Sequence, residues 1–124
     1  MQAENPNSVF VTEQIIVMVD EPRDYPHAKL KCFRKGACHL TVNGETAEHM
    51  KALHALAEKI GMRRSWFQDH KLAPHYDLTL GRRRTALAAG AVFVPAMDQA
   101  RARLVRRNAR TDQDIRLVRV KLDG

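Results

Sequence analysis

The segment His75-Tyr76-Asp77 carries the clearest chemical signal in this sequence. In an extended segment, side chains two residues apart lie on the same side, so His75 and Asp77 face the same way. An imidazole and a carboxylate placed together can share a divalent metal ion, or act as a base and the group that orients it. The structural alternative is that Asp77 helps to cap a helix starting near Thr79 while His75 packs on Trp66. Because metal sites usually take three or four ligands, a site here needs further residues.

Three residues elsewhere in the chain are candidates for the same site. Asp20 follows the apolar run Ile15–Val19, which is β-branched, is stopped by Pro22 and is typical of a buried strand. Open α/β sheets bind ligands at the C-terminal ends of their strands, where Asp20 would lie. His39 falls on a predicted strand and His54 at the edge of a predicted helix's buried stripe; each is either catalytic or a partly buried core histidine. The catalytic candidates are therefore Asp20, His39, His54, His75 and Asp77, with His75 and Asp77 as candidate metal ligands.

The segment Trp66-Phe67-Gln68 follows two arginines, Arg63 and Arg64. An aromatic side chain in this setting can stack on a nucleobase while the arginines hold phosphate. The alternative is that Trp66 and Phe67 belong to the core, because the chain has few aromatic residues from which to build one.

Positive charge is concentrated in one part of the chain. The net charge is +7, and residues 81–110, with eight arginines and only Asp98 as an acid, carry all of it, whereas residues 1–25 carry −4. Arginine binds phosphate and carboxylate oxygens through its planar fork, so this segment indicates an anionic partner, the alternative being a solvated surface. Arg83, one turn after Thr79, is our candidate for neutralising a phosphate near His75. The candidates for nucleic-acid contacts are Arg101, Arg103, Arg106, Arg107 and Arg110.

Helix signals are clear at two places. Thr46 can cap a helix that runs to about Ile60 and ends at Gly61, and Thr79 can cap a second helix, over about 80–89, that ends at Gly90. We predict a third, arginine-rich helix over 98–108.

Strand signals alternate with these helices. We predict strands over 15–19, 75–79, a buried strand over 91–94, and a last strand over 115–122. Residues 30–33 and 38–42 are predicted to form a hairpin around Lys35-Gly36. The alternation predicts an α/β fold, a small single domain with a mixed sheet of three to five strands and about three helices. We expect a flexible N-terminal extension over 1–13, the domain over 14–108, and a C-terminal tail over 109–124 that adds a strand.

Composition excludes several classes of protein. The chain has 124 residues, of which 44% are hydrophobic and 28% charged, as in an ordinary single globular domain. No apolar run approaches the ~18–20 residues that span a bilayer, and the two cysteines, which we expect to be reduced and half-buried, fit neither a structural zinc site nor a disulfide scaffold. Neither a GxxxxGK nor a GxGxxG loop occurs, which argues against P-loop nucleotide hydrolysis. We expect a cytoplasmic protein without membrane partners, and the sequence leaves a homo-oligomer open.

The order of these motifs resembles a family of short bacterial and phage proteins that is catalogued as a domain of unknown function. The resemblance covers about residues 14–108, and its most distinctive part is the pairing of Trp66-Phe67-Gln68 with the run His75-Tyr76-Asp77-Leu78-Thr79. It supplies no established activity. It implies that the polar motif positions deserve particular scrutiny: Asp20, His39, His54, Trp66, Gln68, His75, Tyr76, Asp77 and Arg83. Among these, we take Trp66, Gln68, Tyr76 and Arg83 as the ligand-binding candidates.

Three functions fit these observations. The leading hypothesis is a binding module for an anionic ligand, such as a nucleotide or a phosphorylated small molecule, with Arg83 on its phosphate. The first alternative is a metal-dependent phosphoester hydrolase or nuclease that uses His75 and Asp77. The second is a nucleic-acid-binding protein that uses the arginine-rich helix. No motif identifies a cofactor, and a divalent metal ion is the candidate.

Overall fold

A four-stranded mixed sheet forms the centre of the molecule. The computed structural model describes residues 14–123, with side chains as far as residue 109. The strands are β1 (Val17–Val19), β2 (Ala37–Val42), β3 (Tyr76–Thr79) and β4 (Val92–Phe93), and their order in the sheet is β3-β2-β1-β4. Strand β2 pairs antiparallel with both β1 and β3, whereas β1 and β4 are parallel. With three α-helices in the described part of the chain, this arrangement confirms the predicted small α/β fold.

Two helices begin and end where the local sequence predicts. Helix α1 (Ala47–Lys59) starts after Thr46, whose hydroxyl accepts a hydrogen bond from a backbone N–H of the first turn, at 3.3 Å. Helix α2 (Leu80–Ala88) is capped in the same way by Thr79, at 3.2 Å. Gly61, just beyond α1, has φ of +85°, a left-handed conformation that glycine adopts without strain.

The core lies between one face of the sheet and these two helices. Side chains alternate along each strand, so alternate residues of β2 and β3 share a face. The residues on this face, together with the buried stripes of α1 and α2, form one apolar cluster. Its most fully buried large side chains are Val19, Cys38, Leu40, Leu53, Tyr76 and Leu78.

The opposite face of the sheet is covered in part by the start of helix α3 (Ala96–Asp123). The hydroxyl of Thr41 donates a hydrogen bond to the side chain of Gln99 at 2.7 Å, and both residues are buried. The carboxylate of Glu21 accepts from the backbone N–H of Ala96, at 3.1 and 3.3 Å, and so caps the helix. Cavities lie against the part of this face that α3 does not cover.

The predicted hairpin over 30–42 is wrong. Residues Lys31–Phe33 form a short 3-10 helix, and β2 pairs instead with strands that lie far away in sequence. Ala37 also forms an isolated backbone bridge with Arg23, which lies in the loop between β1 and β2. The turn at Lys35-Gly36 therefore ends a helical turn rather than joining two strands.

Two further strand predictions need correction. The predicted strand over 115–122 is wrong because α3 continues through these residues. Strand β4 exists, but it is an edge strand and is not buried: Val92 and Phe93 are 45% and 47% exposed. The predicted extension over 1–13 lies outside the described residues. Within the described part of the chain, no helix combines the length and the apolar character needed to cross a membrane.

Candidate functional site

The pairing of β2 with β3 places His39 opposite Asp77 on the open face of the sheet. The two residues are partners in the antiparallel register, flanked by pairs whose side chains point into the core. His75 precedes Asp77 by two residues and lies on the same face, as its spacing predicts. The segment after Phe67 returns along β3, because Gln68 and His75 form a backbone bridge. Two strands and a connecting segment therefore bring four polar residues together.

Three of these side chains form a compact cluster of potential metal ligands. The carboxylate oxygen Oδ1 of Asp77 lies 3.5 Å from Nε2 of His75 and 3.8 Å from Nε2 of His39. One ligand atom from each residue lies within 4.8 Å of the other two. Two ligands bound at about 2.1 Å to a tetrahedral metal lie about 3.4 Å apart, so these distances are close to those that a metal site requires.

Hydrogen bonds at Nδ1 fix the orientation of the two imidazole rings. Nδ1 of His39 lies 2.7 Å from Oδ2 of Asp20, and Nδ1 of His75 lies 2.8 Å from the carbonyl oxygen of Ala73. A carboxylate and a carbonyl both accept, so each Nδ1–H donates, and in the neutral form of a ring Nε2 carries the lone pair. In that form both lone pairs face a carboxylate oxygen of Asp77. Three acceptors turned towards each other are stabilised by a proton or a cation placed between them.

Asp20 holds His39 through two contacts. One carboxylate oxygen accepts from the ring at Nδ1 and the other from the backbone N–H of His39, both at 2.7 Å. Burial alone would raise the pKa of Asp20, but the hydrogen bonds and charge of His39 together hold this pKa below its usual value. Asp20 is therefore ionised at neutral pH. A carboxylate behind a histidine is the arrangement that orients a metal ligand and raises its basicity.

Gln68 fixes the carboxylate of Asp77 in a similar way. Its side-chain amide donates to Oδ2 of Asp77 at 2.6 Å, which leaves Oδ1 towards the two imidazoles. When Nε2 of His75 is protonated it donates to Asp77, and this hydrogen bond, and after it the one from Gln68, lowers the pKa of Asp77 despite partial burial. The same contact with Asp77 raises the pKa of His75. Sequence spacing identified Gln68 only as a companion of Trp66, and its contact with Asp77 depends on the fold.

A cavity of about 490 Å³ opens in front of the three ligand atoms. His39, His75 and Asp77 line it together with residues of the loop after β1, among them Tyr25 and His27. The ring of Tyr25 meets that of His39 edge to face, with 6.3 Å between centroids. Tyr25 was not among the sequence candidates, because nothing in the local pattern shows that this loop folds back over β2.

Two of the sequence candidates lie on the other side of the sheet. The hydroxyl of Tyr76 and Nδ1 of His54 are hydrogen-bonded at 2.8 Å, and the ring of Phe67 packs against both. Tyr76 is 1% exposed and belongs to the core. Burial lowers the pKa of His54, which favours its neutral form. The structure therefore separates His54 and Tyr76 from the cluster of His39, His75 and Asp77.

Arg83 supports the site from outside the cavities. Its Nε donates to the carbonyl oxygen of Asp20 at 3.1 Å, and its guanidinium lies over the ring of Phe93 at 5.3 Å. It does not line the cavities around the cluster. The position therefore suits a residue that anchors the end of β1 rather than one that contacts a ligand. The remaining ligand candidate, Trp66, is 44% exposed and lines a neighbouring cavity.

The two cysteines are free and differ in accessibility, so their reactivity with a thiol reagent should differ. Cys32 is exposed, whereas Cys38 is 1% exposed and burial raises the pKa of its thiol to about 12. We expect iodoacetamide to alkylate Cys32 in the folded protein and Cys38 only after unfolding, because the thiolate is the reactive form. Mass spectrometry of the digested protein measures this; equal labelling of both residues in the native state would contradict the placement of β2.

These features define a small α/β protein in which two histidines and an aspartate converge on the open face of a mixed sheet. The family described as "Protein of unknown function (DUF4031)" matches residues 17–109, and the chain belongs to this family. The matched region contains every member of the cluster. No curated protein and no solved structure matches the chain.

Proposed function

We propose that this protein is a metal-dependent phosphoester hydrolase whose metal ion is held by His39, His75 and Asp77. The observation that carries the proposal is the orientation of the three ligand atoms. Both Nε2 lone pairs and Oδ1 of Asp77 converge, while the opposite atoms of all three side chains are held by hydrogen bonds to Asp20, Ala73 and Gln68. Such outer partners are typical of metal-binding histidines and carboxylates.

The ligand set indicates the class of metal. Imidazole nitrogens favour Zn²⁺, Fe²⁺ and other transition metals over Mg²⁺ and Ca²⁺, which prefer sites made of oxygen ligands. Two histidines and one carboxylate are a common set at catalytic sites, where further coordination positions stay open for water and substrate. Here the 490 Å³ cavity provides access to those positions.

Such a site supports hydrolysis of a phosphoester by water. A bound divalent metal lowers the pKa of water and stabilises the negative charge of the phosphoryl group. The water oxygen forms a bond to phosphorus, the ester P–O bond breaks, the water proton passes to solvent, and the leaving oxygen takes a proton from solvent. His39 and His75 would hold the metal through Nε2, and their hydrogen bonds at Nδ1 orient the rings for this.

The geometry supports this function better than a binding module centred on Arg83. A binding module of that kind needs the guanidinium in a cavity, whereas Arg83 is engaged with Asp20 and Phe93. The cations that do line cavities next to the cluster are Arg82 and Arg103. They favour an anionic substrate that reaches the metal ligands.

The test is hydrolysis of p-nitrophenyl phosphate and bis-p-nitrophenyl phosphate by protein stripped with a chelator. We expect activity on at least one ester to return with Zn²⁺ or Mn²⁺ and to fall about 100-fold or more in His75→Ala, because removing a ligand costs more than removing its outer partner. His49→Gln, at the start of α1, removes a histidine outside the cluster and should keep the activity. Restored activity that is equal in His75→Ala and the unsubstituted protein would refute the proposal.

A further inference from the structure

The cavity in front of the cluster adjoins a second cavity on each side. One, of about 270 Å³, shares the walls formed by His39 and His75. The other, of about 420 Å³, shares the walls formed by Phe33, Gln68 and Asp77. The two outer cavities have no lining residue in common, so the first cavity lies between them. We call these three adjoining cavities the groove; the cluster lines its middle section.

One arginine side chain lines the 270 Å³ end of this groove. Arg103 and His70 line it, and the structure gives the guanidinium of Arg103 no hydrogen bond to another described residue. Burial, and then the charges of two neighbouring arginines on α3, lower the pKa of Arg103, with Glu45 acting in the opposite direction. The acid that lines this cavity, Asp20, already accepts from His39 with both oxygens. The end is therefore suited to an anion.

The 420 Å³ end is apolar and aromatic. Phe33, Met62 and the partly exposed indole of Trp66 line it, together with Arg82. One nitrogen of Arg82 is bound to the carbonyl oxygen of Ile60, and its guanidinium carbon lies 5.8 Å from the centre of the indole. An apolar wall with an aromatic ring and a guanidinium is a surface on which nucleobases pack.

We propose that a single strand of nucleic acid lies along this groove, with a phosphate at Arg103, a base against Trp66 and a phosphodiester at His39, His75 and Asp77. The placement of a phosphodiester in the middle section rests on the proposed hydrolase function. The choice of nucleic acid as the substrate rests on the residues that line the two ends. A mononucleotide cannot occupy both ends, because the whole central cavity separates them. Bases of a single strand are free to turn towards an aromatic wall, unlike those stacked in a duplex.

Binding of a fluorescein-labelled oligothymidylate to the full chain, followed by fluorescence anisotropy in a chelator, tests this proposal separately from the metal. We expect Arg103→Gln to weaken binding and to reduce the slope of log affinity against log salt by about 0.7, the value for one phosphate contact on a single strand. We expect Trp66→Ala to weaken binding about fivefold or more, the loss of one stacked base. Thymidine monophosphate and a duplex should compete poorly.

The matched control is Arg101→Gln, which removes the same charge from the same helix. Arg101 is exposed and lines none of the three cavities, so its loss should leave the affinity nearly unchanged. Equal losses in Arg101→Gln and Arg103→Gln, full affinity in Trp66→Ala, or competition by the mononucleotide equal to that by the oligonucleotide would each overturn the proposal. Circular dichroism and Zn²⁺ titration of each variant establish that fold and metal site are intact. If the unsubstituted protein does not bind Zn²⁺, that result refutes the hydrolase function and leaves the nucleic-acid proposal to the binding assay.

Discussion

Replacement of His39 by alanine should weaken Zn²⁺ binding about 100-fold or more. The substitution removes one of three ligand atoms and leaves Asp20, which is buried, without the imidazole that it now contacts at 2.7 Å. Replacing the partners of metal ligands already costs about 10–100-fold in affinity, and a ligand itself contributes more. Isothermal titration calorimetry of the chelator-stripped protein measures the change. Asp77→Asn should weaken binding in the same direction, because it removes the negative charge of the cluster.

Two histidines outside the cluster serve as controls for this titration. His49 lies at the start of α1, and His54 lies on the core side of the sheet against Tyr76. If His49→Gln and His54→Gln lose Zn²⁺ affinity as strongly as His39→Ala does, binding is a general property of the histidines of this protein and the cluster has no special role. We expect both control variants to bind as the unsubstituted protein does.

Replacement of Asp20 by alanine should affect both metal affinity and stability. His39 loses the acceptor that orients its ring, so Zn²⁺ affinity should fall about 10–100-fold. The backbone N–H of His39 also loses its acceptor, and because this donor is only partly buried the cost should be about 1 kcal/mol in the free energy of unfolding, the lower end for an unsatisfied donor. Calorimetric titration and urea unfolding measure the two effects on the same preparation.

Asp20→Asn separates orientation from folding. The amide oxygen of asparagine can still accept one of the two hydrogen bonds from His39, so this variant should be more stable than Asp20→Ala and intermediate in Zn²⁺ affinity. A purely structural role for Asp20 predicts a loss of stability with unchanged affinity in both variants. That result would contradict the assignment of Asp20 as the residue that positions His39.

Helices α1 and α2 were predictable because their signals are local. A threonine cap and a glycine just beyond the last turn define each of them within the sequence itself. The predicted hairpin failed because its two segments are close in sequence, whereas β2 finds its partners in β1 and β3. The last predicted strand failed because the alternation over 115–122 also places Ile115, Val118 and Leu122 three and four residues apart, which is helical spacing.

The candidate site was predictable in its parts but not in its assembly. The i, i+2 spacing of His75 and Asp77 is local, and so is the position of Asp20 after a buried strand. The contact of His39 with Asp77 depends on the register of β2 against β3, which no local pattern specifies. The same limit explains why Tyr25 was missed, and why Arg103 was grouped with its neighbours on α3, although it faces a cavity and Arg101 does not.

The most direct test of the metal site is anomalous diffraction from crystals grown with Zn²⁺, collected on both sides of the zinc absorption edge. We expect an anomalous peak about 2.0–2.2 Å from Nε2 of His39, Nε2 of His75 and Oδ1 of Asp77. The hydrogen bonds from Nδ1 of His39 to Asp20 and from Gln68 to Asp77 should be retained. Zinc bound elsewhere, with the three ligand atoms facing each other across an unoccupied site, would contradict the account.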